Sequence, residues 1–327
     1  MHVLVTGGAG YIGSHACKAL AEAGYTPVAY DNLSTGRENA VHWGPLETGD
    51  LLDRDRLDAV FAAYEPVAVM HFAAAIDVAE SVTNPGKYWR NNLFGSLTLA
   101  EAMVAHDCLN LVFSSTCAVY DGGTGADLTE DSPIGPINAY GGSKRASEMM
   151  FADLGAAHGL KTTVFRYFNV AGAARDAGIG QRHDADATHI IPRLLMALAG
   201  GAGHMTVHGD DYPTPDGTCV RDYIHVTDLV RAHVAGLARL HDGGESAVYN
   251  LGTGRGASVR EVIEAAGAVV GHPPQIQVGP RRAGDAVRLV SGSARAGEDL
   301  GWSPEISGLE TILADAWAWH QARGWEA

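Results

Sequence analysis

Residues 2–13, HVLVTGGAGYIG, constrain this chain more than any other stretch. A short Val-rich run leads directly into Gly7, Gly10 and Gly13, and residues 11–24 follow with helical spacing. Ile12, Ala16, Leu20 and Ala23 fall on one face of that helix, with Gly24 as its stop. Strand, glycine turn and helix form the arrangement a dinucleotide needs. Glycine lets the backbone turn tightly and approach a pyrophosphate, whose charge then sits on the free amides of a helix N-terminus. In a chain with 41 glycines the spacing alone says little; the strand before and the helix after give it weight. Asp31 closes the next apolar strand, residues 27–30, where a carboxylate can accept hydrogen bonds from ribose hydroxyls. A carboxylate there repels a 2′-phosphate, so NAD is expected as cofactor; Arg37 close by keeps NADP open.

The pattern continues. Helices are expected over residues 54–64, 85–106 and 140–158, and strands over 67–72 (VAVMHF), 110–115 (NLVFSS) and 162–168. Strands that alternate with helices and read as nearly continuous apolar runs indicate a parallel sheet covered on both faces. The expected fold is therefore α/β: a Rossmann-type doubly wound parallel sheet with a smaller C-terminal α/β substrate-binding region. Residues 1–172 form the dinucleotide-binding part. Residues 173–327 form mainly the substrate-binding part, with some later elements returning to the sheet. The polar stretches 172–187, 209–218 and 279–292 carry no helical or strand period and read as loops.

A formal charge of -15, with no basic run to offset it, excludes nucleic acid as a natural partner. Cys17, Cys108, Cys117 and Cys219 form no C-x-x-C pair, as expected for reduced thiols in a cytoplasmic protein. Structure is expected to begin at residue 2 with HVLVT, so no signal peptide is expected, and no apolar run is long enough to span a membrane.

The chemistry is carried by YGGSK, which places Tyr140 and Lys144 one helical turn apart, so phenol and ammonium can point into the same cleft. A nearby positive charge favours the phenolate, and Tyr140 can then act as general base toward a substrate hydroxyl. Thr116, at the C-terminal end of the fourth expected strand, lies where open α/β sheets bind ligands and can hydrogen-bond both the reacting oxygen and Tyr140.

The glycine turn, a Thr after that strand and YxxxK together resemble the extended short-chain dehydrogenase/reductase superfamily. The segments VTGGAGYIGSH, HFAAAIDVAESV, YWRNNLFGS, FSSTCAVY, AYGGSK, RYFNVAGA, DDYPTPDGTCVRDYIHV and PRRAGD resemble, in order, the UDP-glucose 4-epimerase family. The resemblance implies UDP-galactose/UDP-glucose interconversion on tightly held NAD. Tyr140 takes the O4 proton while hydride leaves C4, and the 4-keto sugar turns over to accept the hydride on its other face. It implies NAD contacts from Gly7, Gly10, Tyr11, Ile12, Gly13, Asp31, Asn32, Asp50, Leu51, Phe72, Ala73, Ala74, Asn91, Ser114, Tyr140, Lys144 and Tyr167. UDP-sugar contacts are implied for Thr116, Tyr140, Phe168, Asn169, His189, Arg221, Arg282, Asp285 and Leu289. The arginines suit a diphosphate, which a planar guanidinium grips bidentately. A homodimer built from the helix that begins at Pro85 and the helix of Tyr140 is implied as well.

Some positions depart from the family pattern. Ile76 stands where many members carry a lysine near the cofactor phosphates, and His189 where some carry asparagine. Ala79 replaces a glycine, Asp121 follows Tyr120 where glycine is usual, and Leu289 is intermediate between residues that exclude and admit N-acetylated sugars. The same machinery could therefore act on UDP-xylose/UDP-arabinose or UDP-GlcNAc/UDP-GalNAc. A 4,6-dehydratase needs an acidic pair directly after the Thr, and Cys117 and Ala118 cannot serve. A non-catalytic NAD sensor has no need of Thr116, Tyr140 and Lys144 together. No metal is expected: His183, Asp184, Asp186 and His189 cluster in sequence but match no common ligand spacing.

Overall fold

The computed structural model describes residues 1–122, 125–176, 178–183, 187–200, 204–282, 285–292 and 294–322. β1 (His2–Thr6) leads to α1 (Tyr11–Glu22), β2 (Thr26–Asp31), β3 (Leu46–Thr48), α2 (Arg54–Tyr64) and β4 (Ala68–His71). Next come α3 (Val78–Thr83), α4 (Pro85–Tyr88), a π-helical turn (Trp89–Phe94), α5 (Gly95–Ala105), β5 (Asn110–Thr116), α6 (Ala139–His158), β6 (Lys161–Tyr167) and β7 (Asn169–Ala171). α7 (Ile190–Leu198), β8 (Met205–His208), β9 (Val220–His225), α8 (Val226–His241), β10 (Ala247–Leu251), β11 (Gly256–Ser258) and α9 (Val259–Val270) follow. β12 (Ile276–Gly279), β13 (Arg288–Leu289), α10 (Arg295–Leu300) and α11 (Leu309–Ala322) complete the described chain.

Seven strands pair in parallel in the order β10-β6-β5-β4-β1-β2-β3. The winding reverses at β1, with β2 on one side and β4 on the other, and the crevice above that reversal is where a doubly wound sheet binds its ligand. Successive β1 side chains explain why both faces are covered. Val3 and Val5 enter a core under α1 and α8 with Leu20, Leu229 and Leu237, while Leu4 enters an opposite core with Leu57, Phe61, Leu99, Phe113 and Phe151. Each such fully buried apolar side chain contributes about 1.5–3 kcal/mol relative to exposure, so the strand ends that carry the crevice are firmly held. A second sheet joins β9 to β7, β11 and β13, and β8 pairs with β12 alone. β7 belongs to this second sheet, whereas β10 and α8 return to the first layer.

The structure corrects the sequence reading at several points. α1 ends at Glu22 and Ala23 is exposed, because Gly24 (φ 86°) already turns the chain away. The three-residue β3 has too little apolar pattern to announce itself, so Thr116 closes the fifth strand and not the fourth. The helix expected over residues 85–106 is interrupted by the π-helical turn, and the stretch 279–292 contains β13.

Candidate active site

A single cleft of about 1320 Å³ runs across the C-terminal ends of β1, β2, β4, β5 and β6 and on to β8, β9 and β13. It exceeds the roughly 300–1,000 Å³ usual for one small ligand, so there is space for two.

One end is built by the glycine turn. Gly7 has φ 71°, and a Cβ there would lie 2.7 Å from the Ala73 amide nitrogen; one on Gly13 would lie 2.0 Å from the Gly7 carbonyl oxygen. Only glycine allows this approach of turn, α1 and the β4 end. The first intrahelical bond of α1 runs from the Ser14 amide to the Gly10 carbonyl (3.0 Å), which leaves the amides of Tyr11, Ile12 and Gly13 ahead of it, and these three residues line the cleft with Gly10. Asp31 accepts from the Ala9 amide (3.0 Å) and the Leu33 amide (2.9 Å). Burial raises its pKa, and those two amides oppose the shift. Asn32 donates to the Asp50 carboxylate at 2.9 Å, and Asn32, Asp50, Leu51, Phe72, Ala73, Ala74 and Asn91 all line this end. A cradle that only glycine fits, beside a helix N-terminus and a carboxylate at the end of β2, suits a dinucleotide. Ile76 and Ala79 also line it, Ile76 half exposed and apolar at the position where many members of the resembled family carry lysine.

Midway along the cleft lie Thr116 and Tyr140. The Asn138 side chain caps α6 by accepting the Gly141 amide at 2.8 Å, which sets Tyr140 in the first turn. Burial, with Tyr167 second, holds the Tyr140 phenol well above the usual tyrosine range; a hydrogen bond with the Thr116 side chain pulls the other way. Lys144 corrects the expectation that phenol and ammonium point into the same cleft. Its side chain lies behind the wall, where Nζ donates to the Ser114 carbonyl at 2.8 Å and sits 4.7 Å from the centre of the Phe113 ring. Burial lowers its pKa to about 7, against the pull of Glu148. The Ser114 side chain is buried beside the cleft lining. Its Oγ lies 3.3 Å from His233 Nε2 and hydrogen-bonds Tyr167, which does line the cleft.

The far end gathers Phe168, Asn169, His189, Arg221, Arg282, Asp285 and Leu289, as expected. Arg221 hydrogen-bonds Asp285 through Nη2, and Leu289 lies beside Arg221 in the β13–β9 register. Gln181 Nε2 approaches His189 Nδ1 to 3.2 Å, and burial lowers the His189 pKa.

Sequence reading missed Arg193, Thr206, His208, Tyr223 and Val259, which also line this end. β8, which carries Thr206 and His208, is held by pairing with β12 some 70 residues on, a contact without local signal. It also missed Asp222, fully buried, which accepts from Thr253 N (2.9 Å), Thr253 Oγ1 (2.6 Å), Gly254 N (3.0 Å) and Ser291 N (3.1 Å). Those four donors tie the loop after β10 and the end of β13 to β9, next to Arg221. Asp121 lies outside the cleft lining, its amide donating to the Pro133 carbonyl. Among the described residues no three His, Cys, Asp or Glu side chains converge as metal ligands; Asp184 and Asp186 lie outside those residues. Among the described residues, too, no helix is long and apolar enough to cross a membrane.

A parallel sheet with a glycine-turn cradle, and Thr116 hydrogen-bonded to a Tyr-x-x-x-Lys tyrosine at its crevice, define a dinucleotide-dependent enzyme of the short-chain dehydrogenase/reductase class. The chain belongs to the NAD dependent epimerase/dehydratase family, which it matches over residues 3–252, and within it to the UDP-glucose 4-epimerases. It is 47% identical to the UDP-glucose 4-epimerase of Rhizobium meliloti (strain 1021), over 98% of each chain. The structure of UDP-glucose 4-epimerase from Brucella ovis in complex with NAD matches with a TM-score of 0.94 at 48% identity, over 97% of each chain. UDP-glucose-4-epimerase from Stenotrophomonas maltophila, with bound NAD and formylated UDP-arabinopyranose, matches with a TM-score of 0.96 at 37% identity, over 100% of each chain.

Proposed function

We propose that this enzyme interconverts UDP-galactose and UDP-glucose at C4, with residues 1–172 holding NAD and residues 173–327 mainly holding the UDP-sugar. One observation carries the reading: the glycine cradle, Tyr140 with Thr116, and the Arg221–Arg282–Asp285 end share one cleft large enough for both ligands. When bound, NAD+ supplies a hydride acceptor and a positive charge near Tyr140. Tyr140 takes the proton from the sugar O4 and returns it to O4 of the epimer. Thr116, hydrogen-bonded to Tyr140, orients that phenol and lowers the cost of its ionisation. Lys144 acts from behind, its ammonium fixed on the Ser114 carbonyl. Arg221 and Arg282 grip the diphosphate, leaving the sugar free to present either face. The amides of the first turn of α1 hold the cofactor pyrophosphate, and Asp31 its ribose.

The test is incubation of the purified protein, without added cofactor, with UDP-galactose, UDP-GalNAc and UDP-xylose separately, followed by anion-exchange separation. Conversion of UDP-galactose supports the reading; failure on all three, even with added NAD+, refutes it. Leu289 favours a second reading, activity on UDP-pentoses or N-acetylated sugars. It is half-buried against Tyr120 and Phe168, and it leaves more room than an aromatic side chain. Conversion of another sugar in preference to UDP-galactose selects that reading.

We infer a homodimer through the α4–α5 segment and α6, on which Trp89, Phe94 and Met149 expose apolar surface. Light scattering at micromolar concentration should return twice the 34.3 kDa chain mass. A cytoplasmic setting fits the four unpaired cysteines, three of them buried. Cell fractionation checks it.

A further inference from the structure

α6 presents Tyr140, Lys144 and Glu148 at successive turns of one face. Glu148 touches no part of the cleft, yet its carboxylate is 3% exposed and takes four donors. Ser115 Oγ donates to it at 2.5 Å, Arg166 Nε at 3.0 Å, Arg166 Nη2 at 2.7 Å and Arg145 Nη1 at 2.9 Å. Ser115 stands between the two β5 residues that the active site uses: Ser114, whose carbonyl holds Lys144, and Thr116, which holds Tyr140. Arg166 precedes Tyr167 on β6 and passes the network on through Tyr120 Oη (3.2 Å) to Asn250 Oδ1 (2.7 Å). Asn250 in turn donates to the Leu128 carbonyl (2.9 Å), and Leu128 packs with Tyr120, Phe168 and Leu289.

Sliding α6 along β5 would break the Glu148 contacts and the Lys144–Ser114 bond together, so the carboxylate fixes the register of the catalytic helix. Its charge has a second consequence. Lys144 is buried, and a buried ammonium without a counter-charge gives up its proton. The groups packed round it are few. His71 on β4 is kept neutral by burial. Tyr140 and Arg145 share its helix, and the guanidiniums of Arg145 and of Arg166 on β6 are both already paired with Glu148. Glu148 is the carboxylate that opposes the burial of Lys144.

We propose that Glu148, clamped by Arg166 and Ser115, is the positioning residue of the Tyr140–Lys144 pair: it sets the register of α6 on β5 and fixes a carboxylate one helical turn from Lys144. This rests on the epimerase reading for the roles of Tyr140 and Lys144, but the ionisation it concerns can be measured without turnover. The chain has four lysines, Lys18, Lys87, Lys144 and Lys161. Lysine labelled with 13C at Cε gives a resolvable set of signals in the NAD-loaded protein, and Lys144→Met identifies the one to follow.

In Glu148→Gln the Lys144 midpoint should fall by about one pH unit or more, because a counter-charge is lost and Arg166 is left unpaired beside it. In Glu148→Gln/Arg166→Met it should fall less, yet stay below wild type. The acid limb of the kcat profile should move to higher pH in Glu148→Gln, since a neutral Lys144 supports the phenolate less. A Lys144 midpoint unchanged from wild type, with turnover lost, would make Glu148 a merely structural clamp and overturn the proposal. Glu148→Gln leaves a buried arginine unpaired and is prone to misfold. In that event the double variant decides: a lowered midpoint supports the proposal and an unchanged one overturns it. Wild-type turnover of UDP-galactose in parallel tests the epimerase reading on its own.

Discussion

A phenol buried as deeply as that of Tyr140 resists ionisation, and Thr116 offsets only part of that cost. Efficient proton removal from O4 therefore needs every group that favours the phenolate, and losing the hydroxyl itself is decisive. Tyr140→Phe should lower kcat by about 10²–10⁴-fold, the range that general-base catalysis commonly supplies. NAD content after purification and UDP affinity by calorimetry should both stay near wild type; a variant that keeps its turnover removes Tyr140 from the chemistry. Leu289 makes a separate prediction at the same scale. It stands beside Arg221 in the sheet register and packs with Phe168 and Tyr120, so its bulk helps bound the sugar end of the cleft. By the family pattern, Leu289→Tyr should depress activity on UDP-GalNAc relative to UDP-galactose, and Leu289→Ser should raise it. Competition assays with the two sugars in one vessel read that ratio directly, and an identical ratio in both variants would remove Leu289 from specificity.

Between α4 and α5 the chain makes a π-helical turn, a distortion that locally widens the helix and is often found at functional sites. Here it accompanies an unusual use of Asn92. The Asn92 side chain is buried; Oδ1 accepts from the Ala75 amide at 2.8 Å, and Nδ2 donates to the Ala75 carbonyl at 3.0 Å and to Ser143 Oγ at 3.1 Å. It thereby ties the loop after β4, which lines the cofactor end, to α6. Asn92→Ala strands the amide and carbonyl of Ala75, a loss of about 1–3 kcal/mol for unsatisfied buried groups. Thermal denaturation should show that loss, and the variant should retain less NAD through gel filtration. Unchanged NAD content would confine Asn92 to stability. Neighbouring Asn91 illustrates what sequence can and cannot disclose. Resemblance placed Asn91 at the cofactor, and it lines the cleft, but nothing local marked Asn92 as the residue that holds the loop. Where the signal is a short-period pattern, as in β1, α1, α2 and α6, the reading reached the observed elements to within a few residues. β3 is three residues long and half-exposed, too little for a period to show. Lys144 was placed on the right helix face, but whether a side chain enters a cleft or its wall depends on β5, far away in sequence.

At the scale of the whole molecule, one cleft collects side chains from both sheets, and the second sheet is assembled from pieces that sequence order scatters. β7 precedes α7, β13 follows α9, and both pair with β9. Such long-range pairing leaves no trace in hydrophobic period, which is why the substrate end was legible through family motifs and not through pattern. The same wrapping buries histidines. The pKa values of His15 and His233 are held down to about 4 and that of His183 to about 3, in each case chiefly by burial, and His71 is held well below its usual value. Unfolding returns them all to a pKa near 6.5, so below that pH the unfolded chain binds more protons than the folded one. Their contribution is therefore fully present above about pH 6.5 and is lost as pH falls toward 4, at up to roughly 1.4 kcal/mol per pH unit for each. Opposing this, protonation of surface carboxylates relieves the repulsion within a chain of formal charge -15, but that repulsion is spread over an exposed surface and screened by salt. The histidine linkage acts at buried sites and is not screened in this way, so it is expected to set the slope of stability between pH 6.5 and 5. Calorimetry at fixed salt should show Tm falling steadily from pH 6.5 to 5, and His15→Phe should flatten that slope, since the His15 ring already lacks a partner at Nε2. A Tm that stays level or rises over this interval would mean that surface repulsion dominates and the buried histidines do not set the acid limit of the fold.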